Sequence, residues 1–164
     1  MARQVFFSFH YANDLWRANV VRNSDVVKSN ETEVGRYDHS LWEEAKTKGD
    51  TAIRKLIDEG LHGASVTIVL IGPETYTRRW CLYELEQSHA DKRGLLGIRI
   101  HNIKDQQQHT TTAGPDPFAS TKLKSPLGVA SSLAGIYPIY DWVNDDGYRN
   151  VDDWVEVAAK AAGR

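Results

Sequence analysis

The chain of 164 residues has a single cysteine, Cys81. That excludes an internal disulfide framework and fits a reducing cytoplasm. No apolar run approaches the roughly 20 residues that a bilayer-spanning helix needs, so no membrane partner is expected. Met1-Ala2-Arg3-Gln4 leads straight into a strand-like segment, too short a stretch for a signal peptide. Basic excess is missing as well. The net charge is −2 and no long basic run occurs, which excludes nucleic-acid binding driven by phosphate neutralisation. The six histidines lack metal-ligand spacing, so no metal is expected. Ser8-Phe9-His10-Tyr11-Ala12-Asn13, after the first apolar run, contains no glycine and cannot wrap a phosphate as a dinucleotide fingerprint or P-loop does. Phe6-Phe7-Ser8-Phe9 offers no acid, which excludes a phosphoryl-receiving regulator. There is no internal repeat.

What is present is ordinary in bulk: 41% hydrophobic and 26% charged residues, enough for one domain over 1–164 with a real core. Five Trp and seven Tyr allow an aromatic-lined site without starving that core. Val5-Phe6-Phe7-Ser8-Phe9 reads as a strand covered on both faces. Asn13 or Asp14 is positioned to cap a helix over Leu15 to Asn23. Glu33 to Tyr37 reads as a short second strand, and Asp38 to Gly49 as a loop carrying Leu41 and Trp42. Asp50 caps an amphipathic helix with Ile53, Leu56, Ile57 and Leu61 at helical spacing. A strand over Ser65 to Ile71, a helix over Arg79 to Lys92 and a strand over Leu95 to Ile100 follow. Tyr137 to Tyr140 is an edge strand, because Pro138 cannot donate to a ladder. Asn150 is expected to cap the last helix. Regular patterning lapses over 102–135, which reads as a surface insertion, lid or binding loop. Strands alternating with helices predict a mostly parallel sheet of about five strands with helices on both faces, a three-layer α/β fold.

The chemistry centres on Arg79-Trp80-Cys81-Leu82-Tyr83-Glu84-Leu85-Glu86. On a helix, Cys81, Leu85, Ser88 and His89 share the face that lies on the sheet. Trp80, Tyr83, Glu84 and Gln87 share the next. A carboxylate among aromatic rings, just past the end of a buried strand, stands where open α/β sheets form their ligand crevice. Glu84 is therefore a candidate catalytic carboxylate, against the alternative of a solvated surface charge. Trp80 and Trp42 are open between core packing and site wall. Ser8 and His10 are open between ligand contact and a structural hydrogen bond, and Arg78 and Arg79 between ligand contact and pairing with surface acids. Glu86 reads as a surface charge, Cys81 as a small buried hydrophobe, and Asp145-Asp146-Gly147 as a turn.

Val5-Phe6-Phe7-Ser8-Phe9-His10 resembles the opening strand of TIR domains. Arg78-Arg79-Trp80-Cys81-Leu82 with Glu84-Leu85 is similar to the Trp-Cys-Leu-x-Glu-Leu motif of the TIR strand and helix. More specifically, the chain resembles the TIR-like ThsB family of bacterial Thoeris anti-phage systems. Val5 to Tyr11, Val20-Val21-Arg22-Asn23, Ser40-Leu41-Trp42-Glu43, Val69-Leu70-Ile71-Gly72, Tyr83-Glu84, Gly114-Pro115-Asp116-Pro117-Phe118 and Tyr140 to Tyr148 carry that resemblance. Ala119 to Ala134 matches least. The resemblance implies a flavodoxin-like TIR fold and an enzyme that consumes NAD as substrate, with no resident cofactor. It implies a cyclic ADP-ribose isomer as product, a messenger that activates an effector protein. Glu84 takes the position of the family's catalytic glutamate, and Trp80 that of its associated aromatic. A phage-derived trigger or self-association is an expected partner of such a defence enzyme.

Nicotinamide leaves NAD as a neutral ring, so no acid is needed to protonate it. One carboxylate then suffices, holding the ribose hydroxyls and the positive charge that develops on the sugar. Glu84 acts best ionised. Phe9, Tyr11, Trp42, Trp80 and Tyr83 are candidates to cover the rings. Ser8 and His10 can hydrogen-bond ribose or phosphate, and Arg79 can meet the pyrophosphate. The Asp38–Gly49 loop and the 102–135 segment are candidates for closing the site.

Overall fold

A computed structural model describes residues 3–24, 34–35, 39–123, 127–128 and 130–164. Five parallel strands form one sheet in the order β2-β1-β3-β4-β5. They are β1 (Val5–Ser8), β2 (Val34–Gly35), β3 (Val66–Ile71), β4 (Gly94–Arg99) and β5 (Ile139–Asp141). Every residue of β1 and β3 is buried, as their nearly continuous apolar composition requires of strands covered on both faces. Side chains alternate between the two faces. Val5, Phe7, Ile68, Leu70, Leu96 and Ile98 join one core cluster with residues of α1 (Tyr11–Arg22) and α5 (Gly147–Ala161). On the other face Phe6 packs with α2 (His39–Lys48) and α3 (Asp50–Leu61), while Val69, Ile71 and Leu95 pack with Leu85 of α4 (Arg79–Ala90). The expected three-layer α/β fold is therefore present. β5 is an edge strand that starts just after Pro138, where the missing N–H costs no ladder bond.

Three local expectations are corrected. α1 begins at Tyr11, with His10 in the cap position, so Asp14 is no cap. The Asp14 N–H already bonds the His10 carbonyl at 2.9 Å, and its side chain is buried against Gly72. The stretch read as a loop over Asp38–Gly49 is the helix α2, Asp38 itself lying outside the described residues. Its apolar face, Trp42 and Ala45, packs with Phe6, Ile53 and Ile57. Its polar face carries the ion pairs Lys46–Glu43 at 3.3 Å and Lys48–Glu44 at 2.7 Å, which form only at helical spacing. Gly49, at φ +100°, separates α2 from α3, a conformation that side-chain-bearing residues rarely adopt. α5 starts at Gly147 rather than after Asn150, because a Cβ at 147 would lie 2.2 Å from the Trp142 ring. The Asn150 amide instead donates to the carbonyls of Asp145 and Asp146. Of the predicted second strand, Val34–Gly35 is seen, and Glu33, Arg36 and Tyr37 lie outside the described residues.

The described part of 102–135 is irregular apart from one short helical turn at Pro117–Ser120, and it is packed onto the domain. Ile103, Phe118 and Leu133 are core residues. Arg17 donates to the carbonyls of Ile103 (2.7 Å) and His109 (2.9 Å), and Arg99 to that of Gly114 (2.6 Å). Gly114 lies so close to the Gly72 carbonyl that a Cβ would stand 2.1 Å from it. Glu86 stays at the surface, where its carboxylate accepts the Lys122 N–H at 2.9 Å.

Candidate active site

In a sheet ordered 2-1-3-4-5 the chain leaves β1 toward opposite edges, and a crevice opens at the carboxyl ends of β1 and β3. A cavity of about 660 Å³ lies there, within the ~300–1,000 Å³ typical of small-molecule sites. Phe7, Phe9 and His10 reach it from β1 and its end, and Tyr11 and Ala12 from the first turn of α1. Thr77, Arg78, Arg79 and Trp80 come from the turn after β3 and the start of α4. Cys81 and Glu84 follow one turn deeper, and Trp42, Glu43 and Lys46 form the α2 wall. Both α1 and α4 thus begin at the cavity. Their N-terminal dipole ends favour an anionic ligand.

Glu84 is 4% exposed and lines the cavity. The helix that holds it is docked by Cys81, Leu85 and Ser88, all buried. The Ser88 hydroxyl donates to the Glu84 carbonyl at 2.7 Å and sits 2.8 Å from the Thr67 hydroxyl of β3. This link ties the turn bearing Glu84 to the sheet, so the carboxyl group is placed by the core rather than by a loop. Burial, then the neighbouring Glu84 charge, pushes the Cys81 thiol well up, which disfavours the thiolate. At 5% exposure Cys81 is the small buried hydrophobe expected, and it forms part of the cavity wall.

Of the other expected site residues, Phe9, His10, Tyr11, Trp42, Trp80 and Arg79 share the cavity with Glu84. Phe9 and Tyr11 stack at 6.2 Å and 26°. His10 is buried, and its Nδ1 has no hydrogen-bond partner. Burial and the Arg78 charge hold its pKa below the usual value, which favours the neutral ring. The Arg79 guanidinium lies 4.5 Å over the Trp80 ring and bonds Asp50 at 2.7 Å. It is both a wall of the site and a partner of a surface acid. Two of the expected residues, Ser8 and Tyr83, are not among those that line the cavity. Ser8 is buried beneath the cavity, by the Cys81 thiol, without a hydrogen bond of full geometry. Tyr83 turns toward α3, where its hydroxyl donates to Asp58 at 3.1 Å, and its ring meets Trp80 edge-on. Residues three and four apart share a helix face only broadly, and here that face splits. Glu84 goes inward with Cys81, and Tyr83 goes to the neighbouring helix.

Sequence reasoning missed Glu43, Lys46 and Thr77. The signal for Lys46 was its spacing four residues after Trp42, which places both on one side of a helix. Reading the segment as a loop hid it. No described residue of 102–135 lines the cavity. Among the described residues no cluster of His, Cys, Asp and Glu could hold a metal ion. No described helix is long and apolar enough to cross a membrane.

Two comparisons bear on this site. The family model described as "Thoeris protein ThsB, TIR-like domain" matches residues 6–105, which contain every residue lining the cavity. A protein of Bacillus cereus (strain MSX-D12), named "Putative cyclic ADP-D-ribose synthase ThsB1", is 37% identical over 191 aligned positions, covering 94% of this chain and 100% of that protein. With its parallel 2-1-3-4-5 sheet and its crevice at the ends of β1 and β3, this chain belongs to the TIR-like ThsB family of Thoeris defence proteins.

Proposed function

We propose that the chain cleaves NAD between nicotinamide and ribose and closes the remaining ADP-ribose into a cyclic isomer. That isomer is a messenger to a partner effector in anti-phage defence. The observation that carries this reading is Glu84, a carboxyl group held by the core in an aromatic-walled crevice at the sheet's switch point. The name of the Bacillus cereus relative supplies the product class.

The C1′–N bond breaks, and its electron pair passes to the ring nitrogen. The pyridinium thereby becomes neutral nicotinamide, with no proton required. Positive charge appears on the ribose, and the Glu84 carboxylate stabilises it in a water-poor site where electrostatics are strong. Trp80 and Trp42, or Phe9 and Tyr11, hold the rings. Neutral His10 accepts a ribose hydroxyl. A nucleophile of the same molecule then bonds C1′, and its proton leaves to solvent. Cyclisation wins over hydrolysis when that nucleophile is held close and water is kept out.

The test is incubation of the protein with NAD, in the presence and absence of infected-cell extract as trigger, with products identified by mass spectrometry. Release of nicotinamide with a cyclic product, abolished in Glu84→Gln, is expected. Linear ADP-ribose alone would reassign the chain as a plain NAD hydrolase. Turnover unchanged in Glu84→Gln would remove the carboxylate from the mechanism. No turnover in any condition, with Glu84-independent association instead, would mark a non-catalytic interaction module.

A further inference from the structure

Among the described residues three cations border the cavity, and they are engaged to different degrees. Arg79 is held by Asp50 at 2.7 Å and by the face of Trp80, so its planar fork is already used on two sides. Arg78 stands 3.9 Å from Glu74, and its charge acts on His10 at the β1 side. Lys46 stands on the opposite wall. Its ammonium is 3.3 Å from Glu43 and 5.9 Å from the centre of the Trp42 ring. Both members of the Lys46–Glu43 pair are about half exposed, at 50% and 52%. A solvated pair of this kind on one helix face is weak and exchangeable. Both residues nevertheless line the cavity, and both ride on a helix whose apolar side is packed in the core.

We infer that Lys46 is the exchangeable phosphate anchor of the site, released from Glu43 when the pyrophosphate of a dinucleotide enters, and that Glu43 sets how tightly such a ligand binds by competing for it. The inference rests on the dinucleotide reading above and deepens it. A dinucleotide brings two phosphate charges into a cavity that already holds the carboxylates of Glu43 and Glu84. A compact ammonium on a flexible stem can leave a carboxylate for a phosphate without moving the backbone. Glu43 and the incoming phosphate then compete for the same ammonium. Removing the cation and removing its competitor therefore have opposite effects, a pattern that a merely structural ion pair does not give.

The experiment is calorimetric titration on a Glu84→Gln background, which prevents turnover. The ligands are NAD and nicotinamide riboside, which shares the ring and ribose but lacks the phosphates. Lys46→Gln is expected to weaken NAD binding about tenfold, the scale of one charge-assisted contact, and to reduce its salt dependence. Glu43→Gln is expected to tighten NAD binding about threefold, the scale of half that contact. Nicotinamide riboside should respond to neither. Equal losses for both ligands, no loss in Lys46→Gln, or weaker NAD binding in Glu43→Gln would overturn the inference while leaving NAD as the ligand. No binding of NAD to the background protein at all would overturn both this inference and the dinucleotide reading. Both residues are exposed, so the variants should melt within a few degrees of the parent, which thermal denaturation checks.

Discussion

The two walls of the crevice are built differently. On the sheet side, Glu84, Cys81, Phe7 and His10 are buried, and α4 is pinned through Leu85 and the Thr67–Ser88 contact. On the α2 side, Glu43 and Lys46 are exposed and form a solvated ion pair at 3.3 Å. The same contrast separates rigid placement from adaptable contact. Charge developing on one atom needs a group that does not move, whereas capture of a charged ligand tolerates side chains that exchange partners. Reaction rate should therefore live on the sheet wall and affinity on the α2 wall.

Five changes sharpen or break that contrast. The largest effect belongs to Glu84→Gln, expected to lower kcat about a thousandfold or more while KM for NAD changes little, as steady-state kinetics would show. Trp42→Ala should do the reverse, raising KM about tenfold with kcat nearly unchanged; a matching fall in kcat would place α2 in the chemistry. Leu85→Ala empties the core directly behind Glu84, where Leu85 is fully buried. It should cost about 2–5 kcal/mol in denaturant unfolding, which Trp42→Ala, at a half-buried position, should not match.

Asp14 comes next. Burial raises its carboxyl pKa from 3.8 to about 6, partly opposed by Arg17. The folded state therefore favours the protonated form. That stability is fully present below about pH 4 and is lost as pH rises through about 6. Asp14→Asn, which stays neutral, should be more stable than the parent by about 2–3 kcal/mol at pH 7 and equal to it near pH 3.5. Stabilisation that persists unchanged at low pH would contradict the account. The smallest effect is that of Asp50→Asn, which removes the exposed partner of Arg79. It should change stability by less than ~1 kcal/mol.

Much of the fold was legible because burial on both faces leaves a mark. β1 and β3 read as apolar runs, and α3 reads as a repeat of Ile53, Leu56, Ile57 and Leu61. α2 was illegible as a helix because its composition is polar and its apolar residues are few, although the Glu–Lys spacing carried the information. The 102–135 segment has no periodicity because it is held by particular contacts, such as Arg17 to backbone carbonyls, that no local pattern encodes. At the site, Glu84 was legible from helix position and strand end. The fate of Tyr83 was not, since it depends on Asp58 standing opposite on α3.

The most direct test of the central claim is a crystal structure of the Glu84→Gln protein with NAD bound. The account predicts that ribose C1′ lies within about 3.5 Å of the residue-84 side chain, with the nicotinamide ring against an aromatic wall. NAD bound with its ribose away from that side chain, or in another part of the molecule, would contradict it.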